Sequence, residues 1–380
     1  QEVAWYLTVL TRWFDYNDTF LAKEWAHPSD NFGSIYSYFY SNPNYKFIDF
    51  TTALTKAYEI QGSLCLGTSL NQLGYDHVFY VKLASGAVFS SLLSKGNEKI
   101  VHRTINHILL DGPSLRSYRH FPNVGKRKSW AAADASKRGI ELAKISQLND
   151  EVYSSIQDDK NWGFEKNYLN DSEIKFGKEL NDWVIQNVLF KVLFPAEFHG
   201  QSAVEGAIKL SKEFNQNIDK VKKINIFTHE PAIRIIANKE NLSNASDRDH
   251  SLEYMVSAAL LFGELKYEMY GNDFSGLNKI ESLRKKIVVS EDSNFTKNYY
   301  EFSKRHISNS IEIVYDNNST SEKITIENPI GHPSRREEAI PLLREKFIRN
   351  VQNVLSLEKS MSLWEQVINL EKDDELTKFF

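Results

Sequence analysis

Apolar residues recur at the spacing of α-helices through the first 217 residues of the chain. One apolar stripe consists of Ala203, Ala207, Leu210 and Phe214. It follows the pattern Ser202-x-x-Glu205 of a capping box, so we predict that this helix begins at Ser202. A second helix is predicted to begin at Ser129 and to run through three alanines, which favour helix most strongly. These patterns predict a helical domain over residues 1–217.

After residue 217 the pattern changes to the two-residue alternation of β-strands. Alternating segments occur at 223–228 (KINIFT), 311–315 (IEIVY) and 323–326 (KITI). The last two flank a turn-forming cluster and therefore predict a hairpin. A helix is predicted over 251–262, ended by Gly263. Residues 218–335 are therefore predicted to form an α+β domain.

A last helical pattern follows residue 335. Its apolar stripe consists of Ile340, Leu343, Phe347, Val351 and Leu355. We expect these C-terminal helices, over 336–380, to return to the helical domain. The predicted fold class is a large all-α domain with a smaller α+β domain. A chain of 380 residues suits this division, because domains usually hold roughly 100–200 residues.

Composition and charge argue against several classes of partner. The formal net charge is −4 and no sustained basic run occurs, so nucleic acid is not an expected partner. The apolar stretch 255–262 is far shorter than the ~20 residues that span a membrane. Residues 1–10 lack the features of a signal peptide, so we expect an intracellular protein. The single cysteine, Cys65, excludes a disulfide scaffold and a zinc or iron–sulfur site built on this chain's thiolates, and we expect no cofactor.

The first candidate site lies near the start of the chain. Two carboxylates, a hydroxyl and an imidazole stand within 13 residues, on Asp15, Asp18, Thr19 and His27, as in an acid–base site. The alternative is a helix end followed by a Pro-Ser-Asp-Asn turn, in which Ser29 or Asp30 caps the next helix. The residues alone leave both interpretations open.

The second candidate is a basic segment that consists of Arg116, Arg119, His120, Arg127 and Lys128. Cations at the start of a helix oppose the helix dipole, and a bound anion would resolve that conflict. The two arginines before the helix could each bind a carboxylate with two hydrogen bonds. The alternative is a solvated basic loop.

Three histidines stand at conspicuous places. His77 follows a Gly-Tyr-Asp sequence, His199 precedes a helix, and His250 begins one with Tyr254 a turn later on the same face. Because a lone histidine is more often a cap or a satisfied core group than a catalyst, each carries little weight alone.

Many segments, in one order along nearly the whole chain, resemble the 2-methylcitrate dehydratase branch of the MmgE/PrpD superfamily. They include RWFDYNDT (12–19), EWAHPSDN (24–31), DHV (76–78), SLRSYRH (114–120), RKSWAA (127–132), FPAEFH (194–199), DRDH (247–250) and PIGH (329–332). The resemblance implies a large all-α domain, a smaller α+β lid domain, a substrate pocket between them and a homodimer.

The resemblance also implies which residues line the pocket. They are Asp15, Thr19, His27, His77, Lys128 and Tyr254. We expect His27 or His77 to be the base, Asp15 to orient a histidine, and Tyr254 to protonate the leaving hydroxyl. Further substrate contacts are expected from Arg116, Arg119, His120, Arg127, His199 and His250. The cations would act where charge develops in the transition state.

The implied reaction is that of a hydro-lyase. It removes water from 2-methylcitrate to give 2-methyl-cis-aconitate in the methylcitrate cycle of propionate catabolism, without an iron–sulfur cluster. One alternative is another superfamily reaction, such as cis-aconitate decarboxylation. The other is a truncated, non-catalytic relative.

The chain departs from the family pattern at several places. We expect the family's N-terminal segment, before Val3, to be missing, and Tyr58 and residues 65–68 replace the residues that are usual there. These departures are what the non-catalytic alternative rests on. The resemblance places the protein in the bacterial cytoplasm or, in a fungus, in the mitochondrial matrix.

Overall fold

A computed structural model describes residues 1–120, 123–148, 153, 155–237, 241–301 and 303–378. Its α-helices in the first part of the chain are α1 (Glu2–Arg12), α2 (Phe32–Tyr40), α3 (Phe47–Gly67), α4 (Val78–Leu93), α5 (Glu98–Asp111), α6 (Arg127–Ile145), α7 (Phe164–Tyr168) and α8 (Trp183–Asn187). Those that follow are α9 (Gln201–Gln216), α10 (Glu230–Ile236), α11 (Ala245–Arg248), α12 (Leu252–Phe262), α13 (Leu277–Arg284), α14 (Ser293–Tyr300), α15 (Arg336–Val351) and α16 (Leu357–Ile368). The strands are β1 (Phe20–Leu21), β2 (Trp25–Ala26), β3 (Val221–Thr228), β4 (Ile287–Glu291), β5 (Asn309–Tyr315) and β6 (Ile324–Ile326). The fold is thus rich in α-helix and carries small sheets.

The chain forms two compact units. Unit 1 consists of Gln1–Trp13, Asn17–Leu189 and Arg344–Phe380, and unit 2 of Phe14–Tyr16 and Phe190–Leu343. The predicted first domain ended at residue 217, whereas α9 packs on β5 and β6 in unit 2. No helix in the part of the chain that the structure describes is both long enough and apolar enough to cross a membrane.

Unit 1 is organised around α4, which packs against α3, α5 and α6. Between Val78 and Ser90 every residue of α4 except Lys82 is buried, as expected for a helix segment that is apolar on all sides. Helices α4 and α6 approach closely at Gly86 and Gly139, where a Cβ on Gly139 would lie 2.7 Å from the Lys82 carbonyl oxygen. Val78 and Val81 cluster with alanines of the first turns of α6, at positions 131, 132 and 135. The two helices therefore run parallel, and their N-termini lie at the same end of unit 1.

Unit 2 contains a four-stranded sheet in the order β4-β3-β5-β6. Strand β3 pairs parallel with β4 and antiparallel with β5. The predicted hairpin is confirmed, since β5 and β6 pair antiparallel. Helices α9 and α12 pack on each other, and α9 covers the β5–β6 part of the sheet. The core of the unit includes residues of both helices and of β3 and β5.

Local signals at helix ends have mixed outcomes. The helix predicted over 251–262 is confirmed as α12: the Ser251 side chain accepts from the Tyr254 N–H, and Gly263 ends the helix with φ 69°. The capping box at Ser202 is wrong, because α9 already begins at Gln201. The Ser202 hydroxyl instead donates to the Ile307 carbonyl, and Glu205 accepts from Arg335 at 3.0 Å. Tertiary partners outcompete the local cap at that position.

Two further predictions of helical structure need correction. Helix α6 begins at Arg127 rather than Ser129, so Arg127 and Lys128 lie within its first turn. The predicted helical character of the first 217 residues also fails after Ile145, where much of the described chain up to residue 200 is irregular. Strand β4 had no counterpart among the predicted strands.

Candidate active site

His27 lies directly after β2 and before a short 3-10 turn, Pro28–Asn31. Its Nδ1 is 2.6 Å from the Asp18 carbonyl oxygen. A carbonyl oxygen only accepts, so this bond requires the proton on Nδ1 and leaves the lone pair of the neutral ring on Nε2. Thr19, beside it in sequence, is held by paired backbone bonds to Leu189, and its buried hydroxyl has no hydrogen-bond partner among the described residues.

His77 lies at the N-terminus of α4, with its ring centroid 5.8 Å from that of His27. Its Nδ1 is 3.3 Å from Oδ1 of Asp76, and its buried Nε2 has no hydrogen-bond partner within the described ranges. The Asp76 carboxylate is fully buried and accepts from Arg119 through Nε (2.5 Å) and Nη2 (3.2 Å). The two histidines and this ion pair all belong to unit 1.

The charges around His77 set its protonation state. Burial lowers the pKa of His77; Asp76 opposes this, while Arg119, Arg116 and Arg12 lower it further. Burial alone would raise the pKa of Asp76, but Arg119 and His77 hold it well below its usual range. His77 is therefore a neutral imidazole beside an ionised carboxylate at neutral pH.

The basic segment lies at the same end of unit 1. The loop before α6 is fixed by hydrogen bonds from Asp76 N to the Ser114 carbonyl and from Arg116 N to the Gly74 carbonyl, each 2.9 Å. Arg127 stacks on Tyr118 (5.1 Å) and on Trp130 (4.4 Å). Other members of the segment differ in exposure: Lys128 is buried, Arg116 is half-buried and His120 is exposed. Burial, with Arg116 and Arg119, lowers the pKa of His120.

Two carboxyl groups lie next to the backbone that holds His27. Asp18 accepts from the Ser29 hydroxyl at 2.6 Å and from the Ser29 N–H at 3.2 Å. Asp30 is fully buried, accepts from Asn17 at 3.3 Å and faces Arg12 at 3.9 Å. Burial raises the pKa of both, that of Asp30 to about 7, although Arg12 opposes the rise. The turn around His27 therefore rests on two carboxyl groups that do not both ionise readily.

In unit 2, Asp15 forms a buried ion pair with Lys191. The Lys191 Nζ lies 2.5 Å from both the Asp15 carbonyl oxygen and its Oδ2. Asp15 has φ 50°, a left-handed conformation that is uncommon outside glycine. One partner of this carboxylate is thus a lysine that was not among the predicted site residues.

The remaining predicted residues of unit 2 are all engaged with neighbours in their own unit. Tyr254 is fully buried in α12 and donates to the Met269 carbonyl at 2.5 Å, and burial raises its pKa to about 12. The His199 ring bonds Glu197 at 2.8 Å and the Tyr299 hydroxyl at 2.9 Å. His250 precedes the N-cap of α12 and lies 2.7 Å from Asp249. A catalytic role for Tyr254, His199 or His250 would therefore have to be compatible with these hydrogen bonds or replace them.

Comparison with known proteins identifies the family. Residues 1–177 match the MmgE/PrpD N-terminal domain, and residues 194–372 match the MmgE/PrpD C-terminal domain. The 2-methylcitrate dehydratase of Escherichia coli K12 is 39% identical over 362 residues, covering 92% of this chain and 75% of that protein. The chain belongs to the MmgE/PrpD family.

Fungal members of the MmgE/PrpD family are equally similar to the chain. The mitochondrial 2-methylcitrate dehydratase of Yarrowia lipolytica is 38% identical over 388 residues, covering 98% of this chain and 74% of that protein. The probable 2-methylcitrate dehydratase of Saccharomyces cerevisiae is 38% identical over 368 residues, covering 92% and 71%.

Three polar groups that lie next to predicted site residues were not themselves among the site residues predicted from the sequence. Asp76 was noted only as a neighbour of His77, Asp18 only as a second carboxylate of the first candidate site, and Lys191 was not singled out. The signal for Asp76 was its place before a helix, where an aspartate either caps or holds a neighbouring side chain. Nothing local marks Lys191, because its partner lies 176 residues away in sequence.

Proposed function

We propose that this MmgE/PrpD protein is a 2-methylcitrate dehydratase, a hydro-lyase that converts 2-methylcitrate to 2-methyl-cis-aconitate in the methylcitrate cycle of propionate catabolism. Bacterial and fungal proteins of that name are 38–39% identical to it across more than nine tenths of its length. The structural observation that carries the proposal is the pair of buried histidines in unit 1, whose rings lie 5.8 Å apart beside a cluster of arginines.

The reaction is a β-elimination. A base takes the proton from the methyl-bearing carbon, the electron pair of that C–H bond becomes the new C=C bond, and the C–O bond of the tertiary hydroxyl breaks. The departing oxygen takes a proton and leaves as water. Charge builds up on the carboxylate next to the deprotonated carbon, so fixed cations there lower the barrier.

Unit 1 supplies groups suited to the base and to substrate binding. His27 and His77 each present an Nε2 lone pair when Nδ1 carries the proton, which is the requirement for a general base. Arg116 and Lys128 lie at the end of the unit where the N-termini of α4 and α6 meet. Two helix dipoles and these cations together favour a substrate with three carboxylates.

Unit 2 supplies the residues that we assign to orientation and proton donation. Asp15 orients a histidine, with Lys191 holding its carboxylate. For Tyr254 to protonate the leaving hydroxyl, its O–H must turn away from the Met269 carbonyl. The proposed substrate contacts are completed by six further residues. They are Thr19, Arg119, His120, Arg127, His199 and His250. The same proposal includes a unit 2 that acts as a lid domain, a homodimer, and an intracellular location, mitochondrial if the source is a fungus.

The first test follows the ultraviolet absorbance of the conjugated alkene when purified protein is mixed with 2-methylcitrate. We expect absorbance to grow, and we expect His77→Gln to lower kcat by about 10²–10⁴-fold, the usual contribution of a general base. Lys128→Gln should lower kcat/KM. Lys137→Gln is the matched control, since Lys137 pairs on the surface with Glu2 at 2.6 Å.

Product analysis then separates the proposal from its alternatives. Release of carbon dioxide from cis-aconitate, with 2-methylcitrate untouched, would replace the dehydratase by a decarboxylase. A folded protein that leaves 2-methylcitrate, citrate and cis-aconitate unchanged would favour the non-catalytic relative.

A further inference from the structure

Arg119 and Asp76 form a buried ion pair against His77, 43 residues apart in sequence. The Asp76 carboxylate also accepts from the Val78 N–H at 3.1 Å, which fixes it at the start of α4. One face of the Arg119 guanidinium lies over the Tyr118 ring at 5.1 Å. The arginine is thus held by a carboxylate on its edge and a ring on its face, and both partners are in unit 1.

This ion pair favours one nitrogen of the His77 ring as the site of the proton. Asp76 Oδ1 lies 3.3 Å from His77 Nδ1, and an ionised carboxylate attracts an N–H and repels a lone pair, so this contact favours a proton on Nδ1. The lone pair then lies on Nε2, the buried atom that has no hydrogen-bond partner among the described residues. A buried acceptor without a partner is costly unless a ligand supplies the missing donor.

Arg116 differs from Arg119 in one respect. Two nitrogens of the Arg119 guanidinium donate hydrogen bonds to the Asp76 carboxylate. The side chain of Arg116 makes no hydrogen bond or ion pair with the residues that the structure describes, and Glu24 and Asp76 are the acids whose charges act on it. Arg116 is therefore available for a substrate carboxylate, whereas Arg119 already has one.

We propose that His77 is the general base of the dehydration, and that Asp76 and Arg119 are positioning residues that hold its proton on Nδ1 and its lone pair on Nε2. The proposal rests on the proposed dehydratase function and deepens it. It moves Arg119 from the substrate contacts to the support of the base. His27, whose ring is held by the Asp18 carbonyl, then lies beside the base as a second imidazole.

The charged and titratable groups that face His77 come from four segments. Asp76 directly precedes it before α4, Arg116 and Arg119 come from the loop before α6, Arg12 from α1, and His27 from the turn after β2. Among these groups, Asp76 favours the protonated ring, and the three arginines oppose it. Removing Arg119 therefore makes His77 easier to protonate, and removing the Asp76 charge makes it harder.

The test compares Asp76→Asn with Arg119→Gln. The acid limb of kcat/KM reports the base in the free enzyme. We expect this limb to move to lower pH in Asp76→Asn and to higher pH in Arg119→Gln, the latter by about one pH unit. In both variants kcat should fall by about 10²-fold, as for a misplaced catalytic group, while KM changes by less than about threefold.

Two further variants separate charge from shape. Arg119→Lys keeps the positive charge but loses the two-pronged geometry, so the acid limb should return towards its wild-type position. Arg138→Gln is the matched control, because Arg138 grips Asp111 in unit 1 with the same two-pronged geometry and does not face His77. It should leave the pH profile unchanged. If Asp76→Asn does not fold, the arginine variants still decide the question.

Nitrogen-15 NMR of histidine-labelled protein reads the ring directly and needs no turnover. We expect the proton of His77 on Nδ1 in the wild type and a mixture of forms in Asp76→Asn, where the amide can donate to Nδ1. A proton on Nε2 in the wild type would overturn the proposal. So would an Arg119→Gln variant whose KM rises tenfold while its acid limb stays in place, since Arg119 would then bind substrate. A wild type without activity would reject the dehydratase, while the NMR result would still decide how His77 is held.

Discussion

At the scale of single residues, Asp18 and Asp30 are two neighbouring carboxyl groups next to His27, and the positive charge near them is too small to keep both ionised. Asp18 and Asp30 both lie near Ser29 and Asn17, and Arg12 is the arginine whose side chain reaches Asp30. Burial raises the pKa of Asp30 to about 7, with Asp18 adding to the rise. Near neutral pH the pair therefore binds a proton that the unfolded chain would release.

Asp30→Asn tests this proton. A carboxyl whose folded pKa lies above its unfolded value of about 3.9 stabilises the fold below that value, and the contribution is lost as the pH rises through about 7. An asparagine has no such pH dependence. We expect the stability of Asp30→Asn relative to wild type to improve by roughly 2–3 kcal/mol between pH 5 and pH 8, measured by urea unfolding.

The control for this prediction is Asp373→Asn. Asp373 is 63% exposed and pairs with Lys46 at 2.8 Å, so its loss should cost less than about 1 kcal/mol. Unfolding curves of Asp30→Asn that run parallel to wild type across the pH range would show that Asp30 is ionised in the fold.

At the scale of elements, α10 begins on an unusual cap. His229 is fully buried, and its Nδ1 accepts from the Ala232 N–H at 3.3 Å, as an N-cap acceptor does. Its ring stacks on Tyr299 at 4.7 Å. Burial, followed by the charge of His199, lowers the pKa of His229 well below its usual value. Protonation would both fill the capping lone pair and place a positive charge at a helix N-terminus.

His229→Asn should therefore weaken the acid sensitivity of unit 2. A histidine with a lowered pKa stabilises the fold above its unfolded value of about 6.5, and this contribution is lost as the pH falls below it. Asparagine caps a helix without titrating in this range, so the loss of stability of unit 2 between pH 7 and pH 5 should be smaller than in wild type. Thermal unfolding at several pH values measures this.

His229→Ala is the matched comparison. It also loses the titration but removes the cap, which costs about 0.5–2 kcal/mol at every pH. If both variants lose stability on acidification as steeply as wild type, the acid sensitivity comes from another group.

At the scale of the whole chain, the last described residues pack against the start of α3 and so join the two ends of unit 1 in sequence. The Asp374 carbonyl accepts from Phe47 N at 2.8 Å, and the Lys372 carbonyl accepts from Ile48 N at 3.0 Å. These are amides of the first turn of α3, which have no partners within their own helix. Leu376 is fully buried in the core of unit 1. The C-terminal segment therefore caps a helix that begins more than 300 residues earlier.

Leu376→Ala should destabilise unit 1 by about 2–5 kcal/mol, the usual cost of emptying a leucine site in a core. Amide exchange in the first turn of α3 should accelerate, as measured by hydrogen–deuterium exchange. Val354→Ala removes an apolar side chain that is 86% exposed and should change stability by less than about 0.5 kcal/mol. Equal effects of the two substitutions would mean that the C-terminal segment does not contribute to the core.

The spacing of apolar residues correctly predicted those helices and strands in which one face, or the whole segment, is buried. The strands around 223–228 and 311–315 and helix α12 were found because their alternating or helical patterns match one-sided or complete burial. Strand β4 was missed because only Ile287 of its five residues is buried, so it carries no clear alternation. In the same way, the capping pattern at Ser202 failed because its hydroxyl and Glu205 bind distant partners.

The sequence by itself determined the type of each strong element, the end of α12 at Gly263, and the candidate groups of the site, because these depend on residues a few positions apart. Only the tertiary structure decided how those groups are used. The sequence predicts that Arg119 binds an anionic ligand, but in the fold Arg119 pairs with Asp76. Asp15 likewise pairs with Lys191, which lies 176 residues away in sequence. The reason is physical: a local pattern fixes the backbone, whereas the partner of a buried charge is chosen by whichever opposite charge the packing brings within hydrogen-bonding distance.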